Sequence, residues 1–161
     1  FFFLLIFYPL LFTACVSVNI GDSSQPQKSK VARFKKPESP FVEFKPALVD
    51  HAWKNPKNGN SISYLSECNS VADPSLETIF EGLISSIGQA KTLKKENLTY
   101  NGREALRTNV SGQVDGVQSQ LSLLVFKKNN CTYILSYIAT QTFFGQNIAD
   151  FEKFLSEFEV P

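Results

Sequence analysis

The chain has 161 residues, enough for one domain but short for two. Hydrophobic residues make up 43% and charged residues 19%, a mixture typical of a folded globular protein rather than a disordered one. The formal net charge of +1 argues against a nucleic-acid-binding protein. With one histidine and three cysteines, we expect no structural metal, no other cofactor and no dense disulfide scaffold.

The N-terminal segment is apolar, because residues 1–14 contain no charged side chain. The sequence begins with Phe1 rather than Met, and we expect a short basic region upstream of it. An apolar stretch followed by small residues is typical of a signal peptide and its cleavage site. Residues 1–14 are therefore predicted to be a signal peptide whose basic beginning is missing.

The end of this segment reads LLFTAC, from Leu10 to Cys15. It resembles the lipobox of bacterial lipoproteins, in which a cysteine after a small residue becomes the lipid-modified start of the mature chain. Phe12 departs from the leucine that is usual at its place. The resemblance implies palmitate-type acylation of Cys15 and a location in the bacterial cell envelope, on the outer membrane or the periplasmic face. The alternatives are an uncleaved anchor, since the apolar run extends to Val18, and plain secretion.

Residues 15–40 change to a polar composition that includes prolines and a cluster of basic residues. Such a composition buries too little apolar surface to offset the entropy of ordering, so we predict a flexible tether. Its basic residues either rest on anionic headgroups or are simply solvated. They are Lys28, Lys30, Arg33, Lys35 and Lys36. Residues 41–161 then form the predicted globular domain, which has a common domain length.

The domain begins with predicted strands at residues 41–44 and 60–68, the second with period-two alternation. Asp73 followed by Pro74 predicts the start of a helix. Apolar residues at three- and four-residue spacing continue this amphipathic helix to Ile87, and Gly88 is predicted to end it.

Turn signals then separate four predicted strands and are followed by a C-terminal amphipathic helix around residues 148–158. The strands cover residues 91–100, 103–113, 117–127 and 131–140. This order of strand, helix, four-strand antiparallel meander and helix predicts an α+β fold. We expect both helices on one face of the sheet, in a two-layer sandwich.

This pattern resembles the PsbP/Mog1-like fold, which also occurs in small bacterial envelope lipoproteins. The resemblance covers about 110 residues and rests on topology and short motifs. These motifs are Ala52-Trp53, Gly59 to Ser63, the hairpin Gly112 to Gly116, Cys131-Thr132-Tyr133 and the helix around Phe151 to Phe154. It implies a binding or assembly subunit rather than an enzyme.

With Cys15 assigned to lipid, Cys68 and Cys131 remain. They lie at the end of one predicted strand and the start of another, so a disulfide is one interpretation in an oxidising compartment. Two free, buried thiols are the alternative.

No set of residues predicts a catalytic site. Asp50 and His51 are neighbours in an extended segment, where successive side chains point to opposite faces. Glu77 and Glu81 share one helix face that we expect to be solvated. Arg103 and Arg107 lie on one face of a strand, a pattern that suits either an anion site or a solvated surface.

Aromatic residues gather at Tyr137, Phe143 and Phe144, either as a partner contact or as a cover for the core. Our main hypothesis is a membrane-tethered, non-catalytic envelope lipoprotein whose domain binds a protein partner and no nucleic acid. The second hypothesis is a carrier of lipids or small molecules with a cavity between sheet and helices. The third is an envelope hydrolase.

Overall fold

The computed structural model describes residues 27–161, so the predicted signal peptide and Cys15 lie outside the described residues. This part of the chain contains seven strands and two helices. In chain order they are β1 (Val42–Phe44), β2 (His51–Lys54), β3 (Ser61–Cys68), α1 (Leu76–Ile84), β4 (Gly88–Tyr100), β5 (Arg103–Val114), β6 (Val117–Lys128), β7 (Cys131–Thr140) and α2 (Phe144–Ser156).

All seven strands form one sheet in the order β1-β2-β3-β7-β6-β5-β4, and every neighbouring pair is antiparallel. The turns between β4 and β7 each hold two residues with positive φ, among them Gly102 and Gly116. These are the backbone conformations that the tightest hairpin turns require. The predicted α+β class with an antiparallel sheet is therefore confirmed, although three strands precede α1 where the sequence predicted two, at residues 41–44 and 60–68.

The two helices lie on opposite faces of the sheet. Phe80 of α1 packs with Leu106 and Leu123, whereas Phe151 of α2 belongs to the core that contains Leu124. The expectation of two layers with both helices on one face is wrong. The reason is β6, where consecutive residues 121–126 are all buried, as in a strand that is covered on both faces.

Helix α1 is shorter than predicted at both ends. Ser75, not Asp73, is the N-cap, and its Oγ accepts a hydrogen bond from the backbone N–H of Thr78 at 3.1 Å. The helix ends at Ile84, and Gly88 opens strand β4 instead of closing the helix. Ile87 still packs with the helix residues against the sheet, so the apolar spacing continues beyond the helical backbone.

Residues 27–40, which we call the N-terminal strap, are packed along the α2 face of the sheet. The backbone O of Gln27 accepts from the N–H of Cys68 at 2.7 Å, and Arg33 pairs with Glu159 through two backbone hydrogen bonds of 2.8 Å. The ring of Phe34 lies 5.1 Å from that of Tyr64. The predicted tether is thus wrong for residues 27–40, because the partly buried aromatic side chain of Phe34 packs against the core despite its basic surroundings.

Among the described residues, no helix has both the length and the apolar character needed to span a membrane.

Candidate functional site

The α1 face of the sheet is covered over only part of its width. Helix α1 packs on β5 and β6, while the central strands β3 and β7 lie beside it on the same face. Helix α2 packs on β7 and β6 from the opposite face of the sheet and so holds these two strands in place. What results is a groove whose floor is sheet and whose wall is helix α1.

This groove has a volume of about 240 Å³ and a mainly apolar lining. Leu83 and Ile87 form the wall on the α1 side, and Val49 contributes from the segment before β2. The apolar floor residues are Leu65, Leu121, Leu123, Ile134 and Ile138. A partly exposed apolar surface of this kind, supported by rigid strands, is suited to binding another apolar surface.

Two serines lie in the middle of the floor, and their hydroxyl groups form a hydrogen bond with each other. Ser63 and Ser136 are directly opposite in the β3–β7 register, and their hydroxyl oxygens are 2.7 Å apart in a hydrogen bond. Because each hydroxyl already has a partner, covering them with an apolar group leaves this hydrogen bond in place. An apolar partner can therefore cover the groove without leaving either serine hydroxyl unpaired. The groove offers an apolar contact surface rather than reactive groups.

A polar cluster lies on the α2 face, where loop residues meet the start of α2. The Oδ1 atom of Asn147 accepts hydrogen bonds from the amides of Asn55, Asn58 and Asn60, at 2.9 to 3.1 Å. Asn60 also donates to the hydroxyl of Tyr137, whose pKa burial raises to about 12. These amides bond to one another, so the cluster fixes the 55–60 loop to α2. Sequence reasoning missed it, although three asparagines within six residues were a usable signal.

His51 lies at the edge of an aromatic group and bonds to a carboxylate other than the one next to it in sequence. Its Nδ1 is 2.9 Å from Oε1 of Glu43, and its ring stacks on Trp53 and Tyr64. The hydrogen bond from His51, and then that from Lys36, lowers the pKa of Glu43. Asp50 instead accepts from Ser66, so the structure does not bring the Asp50–His51 pair together.

The charged pairs singled out in the sequence are spread over the surface. Glu77 forms an ion pair with Lys95 of the edge strand, and Arg107 donates from Nη1 to Glu152 at 3.0 Å. Arg103 lies at the start of β5 and is exposed. The two arginines thus have different surroundings, and Arg107 is already engaged with a carboxylate.

The remaining candidates occupy the two ends of the central strand pair. Cys68 and Cys131 are opposite each other in the β3–β7 register, and their sulfur atoms are bonded. At the other end, the Tyr137 hydroxyl donates to the backbone O of Phe144 at 2.8 Å. Phe144 packs against the core, whereas Phe143 is 37% exposed. Of the predicted aromatic group, only Phe143 faces solvent to this extent.

Within residues 27–161, no group of three or more histidine, cysteine, aspartate and glutamate side chains is arranged to hold a metal ion.

No family model and no curated protein matches this chain. Similar solved structures do exist. The PsbP protein of the cyanobacterium Synechocystis (CyanoP) has a TM-score of 0.59 at 12% identity, covering 88% of this chain and 95% of that one. A Pseudomonas aeruginosa protein of unknown function has a TM-score of 0.51 at 11% identity, covering 81% of each chain. LpqN of Mycobacterium tuberculosis, which is involved in cell envelope biogenesis, has a TM-score of 0.49 at 12% identity over 88% of each chain.

The similarity to CyanoP covers nearly the whole of that domain and shows a PsbP-like fold for this chain. The PsbP-like part of the predicted fold is therefore confirmed.

Proposed function

We propose that this protein is a membrane-tethered bacterial envelope lipoprotein without catalytic activity, and that its PsbP-like domain binds a protein partner. The observation that carries the proposal is the apolar groove between α1 and strands β3 and β7. The surroundings of His51, Glu77 and Arg107 support the non-catalytic part, because each is engaged in a surface ion pair or hydrogen bond.

The shape of the groove favours a segment of a protein as its occupant. Strands in a sheet are about 4.8 Å apart, so two strands offer a floor about as wide as one helix, whose diameter is about 10 Å. Helix α1 already packs on the neighbouring strands β5 and β6 of the same face. A second helix lying beside α1 would bury Leu65, Ile134 and Ile138 as α1 buries Leu123.

The alternative is a carrier of lipids or small molecules. Pockets that enclose such ligands typically measure about 300–1,000 Å³ and cover most of the ligand surface. The groove, at about 240 Å³, is below that range. Its size therefore favours a protein segment that makes contact along one side.

Membrane attachment is the second half of the proposal and rests on the lipobox-like LLFTAC sequence. It is tested by the intact mass of protein extracted from bacterial membranes, compared with a Cys15→Ala variant. We expect a diacylglyceryl or triacyl addition on a chain that starts at Cys15. An unmodified chain that keeps residues 1–14 would contradict the lipoprotein assignment.

Partner binding is tested by replacing Ile134 with a photo-cross-linking amino acid in cells, with Leu93 as the matched control. Both side chains are apolar strand residues, but Leu93 lies on the exposed edge strand β4 and not in the groove. We expect one discrete protein adduct from position 134 and none from position 93. An arginine at Ile138 is expected to reduce that adduct about tenfold, since burying a large aliphatic side chain contributes about 1.5–3 kcal/mol.

Equal adducts from positions 134 and 93 would show contact without a specific site and would contradict the proposal. An adduct of lipid mass at position 134 would favour the carrier. Circular dichroism of the Ile138→Arg variant checks that its fold is intact.

A further inference from the structure

The first described residue is connected by hydrogen bonds to a basic pocket at one end of the sheet. The side-chain O of Gln27 accepts from Asn69 at 3.1 Å, and Asn69 accepts in turn from Asn130 at 2.9 Å. Asn130 belongs to the β6–β7 turn that lines the pocket. The described part of the chain therefore begins beside this pocket.

The pocket measures about 330 Å³, and its lining is mainly polar. We use the name basic pocket for the site formed by Arg103, Lys127, Lys128, Asn129 and Asn130. Glu67 and Asp73 also line it, so its formal charge is +1 from three cations and two carboxylates. Asp73 is paired with Lys127, which leaves Arg103 and Lys128 as the cations to consider.

Both of these cations lack a carboxylate partner among the described residues. Lys128 donates to the backbone O of Asn101 at 3.1 Å and of Val160 at 2.6 Å, which are neutral acceptors. Arg103 is exposed at the start of β5 and forms no ion pair within residues 27–161. Neither positive charge is therefore neutralised by a carboxylate within residues 27–161. Of the five basic residues of the strap, Lys28, Lys35 and Lys36 are paired with carboxylates of the domain, whereas Lys30 and Arg33 form no ion pair within residues 27–161.

The length of chain before Gln27 limits how far this end can be from a membrane. Twelve Cα–Cα steps separate Cys15 from Gln27. They span at most about 40 Å when extended, and about 20 Å on average as a flexible coil. A domain held at Cys15 therefore keeps its basic pocket close to the bilayer surface.

From this placement we infer that the basic pocket is a membrane-docking site that binds the phosphate groups of anionic phospholipid headgroups through Arg103 and Lys128. Phosphate oxygens accept hydrogen bonds from guanidinium and ammonium groups, and basic residues are attracted to an anionic bilayer over a few ångströms. The inference rests on the proposed membrane tether, since the tether is what brings this end to the bilayer.

The test uses the predicted mature chain, residues 15–161 with Cys15→Ser, so that binding does not depend on acylation. It is mixed with phosphatidylcholine vesicles that contain or lack about 30% phosphatidylglycerol, and bound protein is measured by co-sedimentation. We expect binding to the anionic vesicles only. Arg103→Gln is expected to weaken it about fivefold, the factor that corresponds to about 1 kcal/mol per basic residue.

Lys91→Gln is the matched control, because it also removes one exposed positive charge but lies near the opposite end of the sheet. It should change vesicle binding less than twofold. Equal weakening by Arg103→Gln and Lys91→Gln would overturn the inference, since it would indicate attraction by net charge alone.

Hydrogen exchange gives a second readout that needs no variant. Backbone amides of the 128–131 turn should exchange more slowly on anionic vesicles, while those of the 114–117 turn at the other end should be unchanged. Equal protection by inorganic phosphate alone would overturn membrane docking in favour of a soluble anion.

If Cys15 proves unmodified in cells while Arg103 still governs vesicle binding, the tether fails and the docking site stands. If Cys15 is acylated and Arg103→Gln does not change vesicle binding, the docking site fails and the tether stands.

Discussion

Two buried tyrosines on the α2 face, Tyr64 and Tyr137, ionise only at strongly alkaline pH. Burial is the main cause that raises the pKa of each to about 12, and for Tyr64 the nearby Asp50 adds to it. In an unfolded chain a tyrosine ionises near pH 10. Because the folded-state pKa is the higher one, the stabilising contribution is complete below pH 10 and is lost as the pH rises towards 12.

We therefore expect the free energy of unfolding to fall between pH 10 and pH 12. Tyr64→Phe keeps the ring that packs against Phe34 and Phe158 but removes one ionising group. Its stability should decline less over that interval than that of the natural chain. Urea unfolding at pH 9, 11 and 12 measures the difference, and identical pH profiles would show that Tyr64 does not titrate with folding.

At this scale the sequence was informative where a residue acts within its own segment and uninformative where it acts across the fold. It predicted correctly that Asp50 and His51 do not pair, since successive side chains in an extended segment point to opposite faces. It did not reveal that Glu43 is the partner of His51, because that contact depends on the pairing of β1 with β2. The amide cluster around Asn147 joins positions about 90 residues apart. The three asparagines within residues 55–60 were a local signal for it, but no local pattern indicates that Asn147 is their common acceptor.

At the scale of elements, the connection between α1 and β4 passes directly over Gly112 of β5. A Cβ atom at this position would lie 2.5 Å from Cγ2 of Ile87 and 2.9 Å from the backbone O of Gly88. These distances are shorter than contacts that packed side chains tolerate, and one of the two atoms is backbone. Gly112 thus allows the end of the α1 segment to lie close to the sheet.

Gly112→Ala is expected to destabilise the protein by about 1–3 kcal/mol, since the connection must shift to admit the methyl group. Gly82→Ala is the matched control, because Gly82 lies inside α1 with no atom within 4 Å of the added methyl. It should stabilise by about 0.5–1 kcal/mol through helix propensity. Urea denaturation of both variants gives the two values, and the same sign for both would contradict the close approach at Gly112.

The elements themselves were predictable to different degrees. The paired turn residues between β4 and β7 located those strands, because tight hairpins demand particular residues. Strand β2 was missed, since its four residues are too few to show a period. The groove was not predictable, as it exists only because α1 and α2 lie on opposite faces and α1 covers β5 and β6.

Considered as a whole molecule, the domain has one covalent link between strands that are distant in sequence. The bond between Cys68 and Cys131 closes a loop with a sequence separation of 63 residues. It joins β3 to β7, and so connects the part of the sheet before α1 to the hairpins after it. Restricting a loop of that length in the unfolded chain stabilises the folded state by about 4 kcal/mol in the chain-entropy model.

Replacing both cysteines with alanine should therefore lower the free energy of unfolding by up to about 4 kcal/mol. Thermal unfolding with and without a reducing agent measures this. The natural chain should lose stability on reduction, whereas the Cys68→Ala/Cys131→Ala variant should not respond. A natural chain that is unaffected by reduction would show that the two thiols are free.

The N-terminal strap also sets a mechanical length for the proposed tether. While Phe34 and the backbone pairs at Gln27 and Arg33 hold, tension on Cys15 stretches only the chain before Gln27. Detaching the strap would release fourteen further steps to Phe41, adding about 50 Å of extended chain. A partner pulling on the domain would first extend only this short segment. A force large enough to break the backbone pairs at Gln27 and Arg33 and to extract Phe34 would more than double the length of the tether.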